Sequence, residues 1–215
     1  MGITIIGAGH MARGIGTRLV AAGEPVTIMD RTPEHAEALA RELQAHARSG
    51  ATVSTAALGD PIKDNTVVLA LFYPIEKELI PQLQQQLSGK TIIEISNPLN
   101  ETYDDLATPE GLSAAEEIAR MIPDAKVVKA FNTTFAGPLE KGQVAGVRLD
   151  VFMASDDTDA KTHLGAILAS GGLRPLDVGP LKRARQLEQV GLFHMAVQDQ
   201  LGSGYGSTVK LVWTE

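Results

Sequence analysis

Short apolar runs alternate with longer amphipathic segments along most of this chain. Strands are expected near 2–6, 26–30, 52–54, 67–72, 91–95, 126–130, 150–154 and 174–177. Helices are expected near 10–22, 33–47, 75–87, 113–121, 157–170 and 182–201. A strand-then-helix order of this kind is the pattern of an α/β fold with a doubly wound, mostly parallel sheet. The run Val67 to Phe72 is apolar without a break, as a strand covered on both faces requires. Thr32-Pro33 reads as an N-cap with proline in the first turn, and Asp60-Pro61 and Asp64-Asn65 mark the loop before the fourth strand. No repeat or low-complexity linker divides the chain. Residues 1–215 are therefore expected to form one Rossmann-type domain with a small C-terminal extension from about residue 150.

The expected last helix, Lys182 to Leu201, bears Leu187, Val190, Leu192, Phe193, Met195 and Val197. These positions cover more than one narrow stripe, so the helix is expected to be covered on several sides. Core packing and a homodimer interface both account for that pattern.

A chain of 215 residues, 44% hydrophobic and 21% charged, suits one soluble α/β domain. With no cysteine, disulfides, zinc–thiolate sites and cysteine nucleophiles are excluded. A formal charge of −7 argues against a nucleic-acid partner. No run approaches the roughly 18 apolar residues of a membrane span. The N-terminus lacks a basic leader and reads as a strand, so a cytoplasmic protein is expected.

The chemistry begins where the first apolar run, Ile3 to Ile6, meets Gly7-x-Gly9-x-x-Ala12 and a helix-like pattern. Such an order makes a dinucleotide phosphate site. Gly7 permits the tight turn, Gly9 lets a pyrophosphate approach the backbone, and Ala12 lets helix and strand pack closely. The free N–H groups and positive end of the helix from about Met11 then face the phosphates. The second apolar run ends in Asp30, about 20 residues on, where a ribose-binding residue belongs. A carboxylate there favours NAD, whereas Arg31 and Thr32 would hold the 2′-phosphate of NADP if Asp30 points away.

Ligands of open α/β sheets bind outside the carboxyl ends of the strands. Small or polar residues follow five apolar runs in order: Gly7–Ala12, Asp30–Thr32, Tyr73-Pro74, Ser96–Asn100 and Phe131–Ala136. Together they suggest a continuous cofactor groove. His10, His35, His46, His163 and His194 show no metal spacing, and Asp104-Asp105 reads as a solvated pair, so no metal site is expected. No Gly-x-Ser-x-Gly elbow is present, and Ser96 has no evident base. Carbonyl reduction requires a proton donor near the nicotinamide, and only Tyr103, Lys129 and His194 are candidates. Hydride passage to a flavin-like ring requires mainly stacking and alignment.

These motifs resemble the deazaflavin-dependent NADP oxidoreductases, which exchange hydride between NADP(H) and 8-hydroxy-5-deazaflavin. The likeness rests on Gly7 to Ala12, Ser96 to Asn100, Lys129 to Ala136 and Leu173 to Leu181, with Arg185 and Glu188 continuing the last block. The reductase domain of the six-transmembrane metalloreductases looks similar too, without any membrane part here. The resemblance implies that Gly7, Gly9, His10, Met11 and Ala12 bind the pyrophosphate. Asp30, Arg31 and Thr32 would then surround the adenosine ribose. Tyr73, Asn97, Pro98 and Leu99 would line the path to the nicotinamide, and Ala130, Asn132 and Ala136 would flank the nicotinamide itself. Asn132, Thr133, Thr134 and Phe135 would edge the acceptor ring, with Gly204 and Tyr205 of the tail closing the site. The family usually has serine where this chain has Asp30.

The expectation is an NADP(H) oxidoreductase passing hydride directly to a deazaflavin or flavin-like small-molecule acceptor, with NAD open because of Asp30. A reductase of small carbonyls or imines is the second reading, and a non-catalytic dinucleotide-binding redox sensor the third.

Overall fold

The architecture is a computed structural model that describes residues 2–48 and 50–214. Its centre is β1 (Ile3–Ile6), every residue of which is buried. Helix α1 (His10–Ala22) follows, then β2 (Val26–Asp30), α2 (Pro33–His46), β3 (Val53–Ala57), β4 (Thr66–Leu69), α3 (Tyr73–Leu87) and β5 (Thr91–Glu94). After a long loop come α4 (Ala114–Met121), β6 (Lys126–Lys129), α5 (Ala136–Lys141) and a hairpin of β7 (Gln143–Val144) and β8 (Val147–Arg148). The chain ends with β9 (Asp150–Met153), α6 (Thr158–Ser170), β10 (Arg174–Asp177), a 3-10 turn (Leu181–Arg183), α7 (Ala184–Ala196) and α8 (Gln198–Leu201).

Six strands form one sheet in the order β3-β2-β1-β4-β5-β6, and every neighbouring pair is parallel. Ile3 faces Val26 on one side and Thr66 on the other, so the order reverses at β1. This is the Rossmann arrangement, and the reversal opens a crevice at the carboxyl ends of β1 and β4. Alternation along each strand sends side chains to two cores. Ile5, Ile28, Val68, Ile93 and Val128 join Ile15 and Leu19 of α1 on one face. Ile6, Met29, Leu69, Ile92 and Val127 join Ile80 of α3 and Ile118 of α4 on the other.

Helix ends are set by local chemistry. Ser113 and Glu116 make a reciprocal capping box at α4, and Asp157 accepts from the Ala160 amide at α6. Gly23, at φ +93°, closes α1 in the left-handed conformation.

The structure departs from several of these expectations. The strand expected at 67–72 ends at Leu69, the Ala70 amide making a last bond to the Ile6 carbonyl at 2.9 Å, and α3, with Pro74 in its first turn, starts two residues earlier than expected. The helix expected over 182–201 is three pieces. The Gln198 amide takes the His194 carbonyl at 2.5 Å, so the main-chain ladder is interrupted there. Its buried face is a single stripe of Ala184, Leu187, Glu188, Gly191 and His194, with Phe193 and Leu201 exposed rather than covered. In the C-terminal extension β9 and β10 form a sheet of their own. They pair in parallel with each other, and β9 meets the end of β6 through one antiparallel bridge, Lys129 with Ala154.

Candidate functional site

The glycine turn divides its work between two residues. Gly7 has φ +105°, and a Cβ there would lie 2.4 Å from the Ala70 carbonyl oxygen. At Gly9 a Cβ would meet nothing within 4 Å, so the space in front of the turn is open. Helix α1 has no side-chain cap and no acid in its first turn, which leaves its amide end available to an anion. Ala12 is fully buried, as the fingerprint requires. Two glycines that the sequence reading left out make closer contacts. A Cβ at Gly14 would be 2.9 Å from Ala136 O, and one at Gly16 would be 2.5 Å from Leu43 Cδ1. Their spacing along α1 was the available signal: they are what lets α5 and α2 lie against the helix.

Asp30 turns inward. One carboxylate oxygen accepts the Ala8 amide and the other the Thr32 amide, both at 2.9 Å. It therefore ties the glycine turn to the loop after β2. Arg31 is exposed beside it, and Thr32 is half-buried.

The next segments are distributed unevenly over the groove. Tyr73 is buried, with its hydroxyl bonded to Glu117 of α4, so its ring packs away from the cleft. The residue before it, Phe72, expected as the end of a strand covered on both faces, instead precedes α3 and is 82% exposed. Pro98 is buried, while Asn97 and Leu99 are half-buried. Asn97 and Asn132 pair reciprocally: Asn97 Nδ2 donates to the Asn132 carbonyl at 2.8 Å and Asn132 Nδ2 to Asn97 Oδ1 at 2.9 Å. Ala130, Asn132, Thr133 and Thr134 are buried, so they shape the site by their backbone more than their side chains. Phe131 between them holds φ +64°, a strained conformation for a bulky residue, fixed by the Thr134 amide and hydroxyl on its carbonyl at 2.9 and 2.7 Å.

A cleft of about 400 Å³ lies at this end, lined by His10, Phe135, Ala136, Gly137, Glu140, Gly204 and Tyr205. It brings the first helix, the segment after β6 and the tail together. Phe135 stacks on His194 with centroids 4.3 Å apart and meets Tyr205 edge-on at 5.1 Å. His194 contacts the Thr133 carbonyl through Nδ1 at 3.2 Å and the Ser207 hydroxyl through Nε2 at 2.7 Å. Burial lowers its pKa, against the opposing pull of the Thr133 carbonyl. Gln198 bonds the same Ser207 hydroxyl at 2.9 Å, so α7 and α8 hold the tail in place over Phe135.

None of the three proton-donor candidates lines the cleft. Lys129 is buried, with Nζ donating to Glu94 at 2.6 Å, Glu188 at 2.8 Å and the Ser96 carbonyl at 2.5 Å. His194 is buried and bonded at both nitrogens, and Tyr103 stands 71% exposed on the loop after β5. Asp104 is bound by Asn100 and Thr102, and Asp105 takes the Leu106 amide. Among the described residues no group of three or more His, Asp or Glu is placed to hold a metal, and no helix is long and apolar enough to cross a membrane.

Comparison with known proteins bears on the same regions. The family model described as NADP oxidoreductase, coenzyme F420-dependent, matches residues 2–98, from the start of β1 to the loop after β5. The F420-dependent NADP reductase of Methanothermobacter marburgensis is 30% identical over 197 residues, covering 86% of each chain. The metalloreductase STEAP3 of Rattus norvegicus is 31% identical over 190 residues, and the chain spans only 36% of that longer protein. A crystal structure from Arthrobacter sp., a candidate F420-dependent NADP reductase, superposes with a TM-score of 0.83 at 28% identity, covering 99% of this chain and 100% of that one. With the glycine turn, the switch-point crevice and a full-length relative in agreement, this chain belongs to the F420-dependent NADP oxidoreductase family.

Proposed function

We propose that this chain is an oxidoreductase that binds NADP(H) along the carboxyl ends of the sheet and passes hydride directly between its nicotinamide and a flat deazaflavin or flavin-like acceptor. The observation that carries the reading is the cleft itself. It is open and walled by the rings of Phe135 and Tyr205, against which a flat acceptor can lie. The residues fit the cofactor because the turn leaves open space at Gly9 and an uncapped helix end where a pyrophosphate carries its charge. The nicotinamide and acceptor rings supply the redox chemistry: two electrons and a hydrogen nucleus move together, and solvent provides the proton that completes acceptor reduction.

The chain's own residues bind, orient and exclude water. Asn97 and Asn132 fix the two loops against each other, and Phe135, backed by the His194 ring and met edge-on by Tyr205, forms a fixed aromatic wall of the cleft. Both Asp30 oxygens already accept backbone amides, so exposed Arg31 and the Thr32 hydroxyl are the groups left to meet a ribose 2′-phosphate. NADP is therefore favoured over NAD.

Stopped-flow mixing of NADPH-loaded protein with deazaflavin, FMN and FAD tests the reading. Oxidation of NADPH by at least one of them is expected. Tight NADPH binding with no oxidation by any would leave a sensor, and turnover confined to imines or carbonyls would overturn the proposed acceptor class. In parallel titrations, Arg31→Ala should weaken NADPH by about 10- to 100-fold, the worth of one charge-assisted contact, and leave NADH unchanged.

A further inference from the structure

At the carboxyl ends of β5 and β6 four ionisable side chains, Glu76, Glu94, Lys129 and Glu188, lie wholly out of solvent. Three are joined. Lys129 places all its N–H donors on Glu94, Glu188 and the Ser96 carbonyl. Glu94 returns to the same loop, its second oxygen accepting the Ser96 amide at 2.5 Å. Glu188 accepts the Ala114 amide at 3.0 and 3.2 Å, at the N-terminus of α4, where a helix favours an anion.

From this one ammonium the bonds run to both loops of the acceptor end. Ser96 leads into Asn97, which pairs with Asn132, and Asn132 Nδ2 also donates to the Leu187 carbonyl of α7 at 2.8 Å. Gly191 allows α7 to sit this close, since a Cβ there would lie 2.4 Å from Asn97 Oδ1.

Glu76 is the fourth member. It lies against the Ser96 hydroxyl, yet both its oxygens and Ser96 Oγ lack a well-formed hydrogen bond. Three carboxyl groups share a single ammonium, and Lys129 is already bound to the other two. Burial first, then the charge of Glu94, pushes Glu76 well above the carboxylate range, with Lys129 and Ser96 opposing and Glu188 adding to the rise. A buried carboxylate without a partner takes up a proton rather than keep its charge. For Lys129, Glu94 and Glu188 outweigh the effect of burial and raise its pKa, so it stays cationic.

We propose that Glu76, Glu94, Lys129 and Glu188 form a positioning post, with Glu76 kept as the neutral acid and Lys129 fixing the Ser96–Asn97 and Asn132 loops at the acceptor end of the groove. The role given to those loops rests on the function proposed above, whereas the post itself is a property of the fold. Lys129 is thereby a positioning residue and not a proton donor.

The proton on Glu76 makes a signed prediction. Folded Glu76 keeps a proton that the unfolded chain releases in the ordinary carboxylate range. Its stabilising contribution is therefore complete below that range and is lost as pH rises towards the folded value. Glu76→Gln supplies a neutral isostere that cannot ionise. Melting temperatures of wild type and variant should coincide near about pH 4, and the variant should melt several degrees higher near about pH 8. Parallel curves, or a variant that melts lower near pH 8, overturn the neutral acid.

Glu188→Gln tests the post while leaving Lys129 paired with Glu94, because Lys129→Met would strand two buried carboxylates and can unfold the chain. Hydrogen exchange of the wild type and this variant should show residues 95–100 and 130–136 exchanging about tenfold faster in the variant, with residues 3–20 unchanged. Unchanged or uniformly faster exchange overturns the post. NADPH affinity should stay within about threefold while hydride transfer falls about 10- to 100-fold, a loss of kcat without a loss of binding. If wild type neither binds NADPH nor reduces an acceptor, the proposed function fails, and the exchange and melting data still decide the post.

Discussion

At position 9 an added Cβ would meet nothing within 4 Å, while at position 7 it would meet the Ala70 carbonyl at 2.4 Å with φ at +105°. The two glycines of one motif therefore answer to different requirements, the first to the fold and the second, on the proposed function, to the ligand. Gly7→Ala forces a left-handed alanine, at a cost of about 1–2 kcal/mol before the clash is counted, so its melting temperature should drop by several degrees. Gly9→Ala should melt like wild type without cofactor and lose about tenfold or more in NADPH affinity, because the methyl occupies the space in front of the amides. Differential scanning fluorimetry with and without NADPH separates the two. An NADPH affinity unaffected by Gly9→Ala would count against phosphate binding at this turn.

Element by element, what the sequence disclosed depended on whether the cause was local. The first two strands and α1 and α2 were legible because a parallel sheet covered on both faces writes itself as apolar runs between amphipathic ones. Helix α5 was not, since Ala136-Gly137-Pro138 is poor helix-forming sequence, and the helix is stabilised by lying against Gly14 of α1. β9 and β10 were readable as strands, but their separate sheet follows from contacts no local pattern contains. One such contact is Asp150, buried at the start of β9, whose carboxylate binds Arg174 at 2.6 and 2.5 Å, Lys210 at 2.9 Å and the Leu211 amide at 3.0 Å. Burial would raise its pKa, but these partners together hold it below the ordinary range. Stability from Asp150 is thus present above the unfolded carboxylate pKa and lost as pH falls through the lower folded value. Asp150→Asn should release the tail, seen as faster proteolysis within residues 203–214, and should flatten the acid limb of the stability curve. A variant with wild-type proteolysis would show that the tail is fastened elsewhere.

At the scale of the whole molecule, the proposed cofactor and acceptor ends draw on different lengths of chain. The proposed phosphate end lies within residues 7–32, and its glycine turn was legible in the sequence because the spacing of Gly7, Gly9 and Ala12 is itself the geometry. The proposed acceptor end joins His10, Phe135 and Tyr205 around one cleft, and the post proposed to support it reaches Glu94, Lys129 and Glu188. Lys129 read as a candidate donor only because its partners lie 35 and 59 positions away. This division predicts the behaviour of a chain truncated after Leu201. It keeps the glycine turn, Asp30 and Arg31 but loses Tyr205 and the Ser207 hydroxyl that anchors His194. With Lys210 and Leu211 also removed, Asp150 retains Arg174, so β9 and β10 stay paired and the melting temperature should fall only by several degrees. NADPH affinity should remain within about threefold, while hydride transfer to the acceptor falls by about 100-fold through loss of the wall that aligns the second ring. Tyr205→Ala, which spares the Ser207 and Asp150 contacts, should reproduce a smaller loss of about tenfold in the same direction. Equal losses of binding and transfer in both variants would show instead that the tail serves the cofactor.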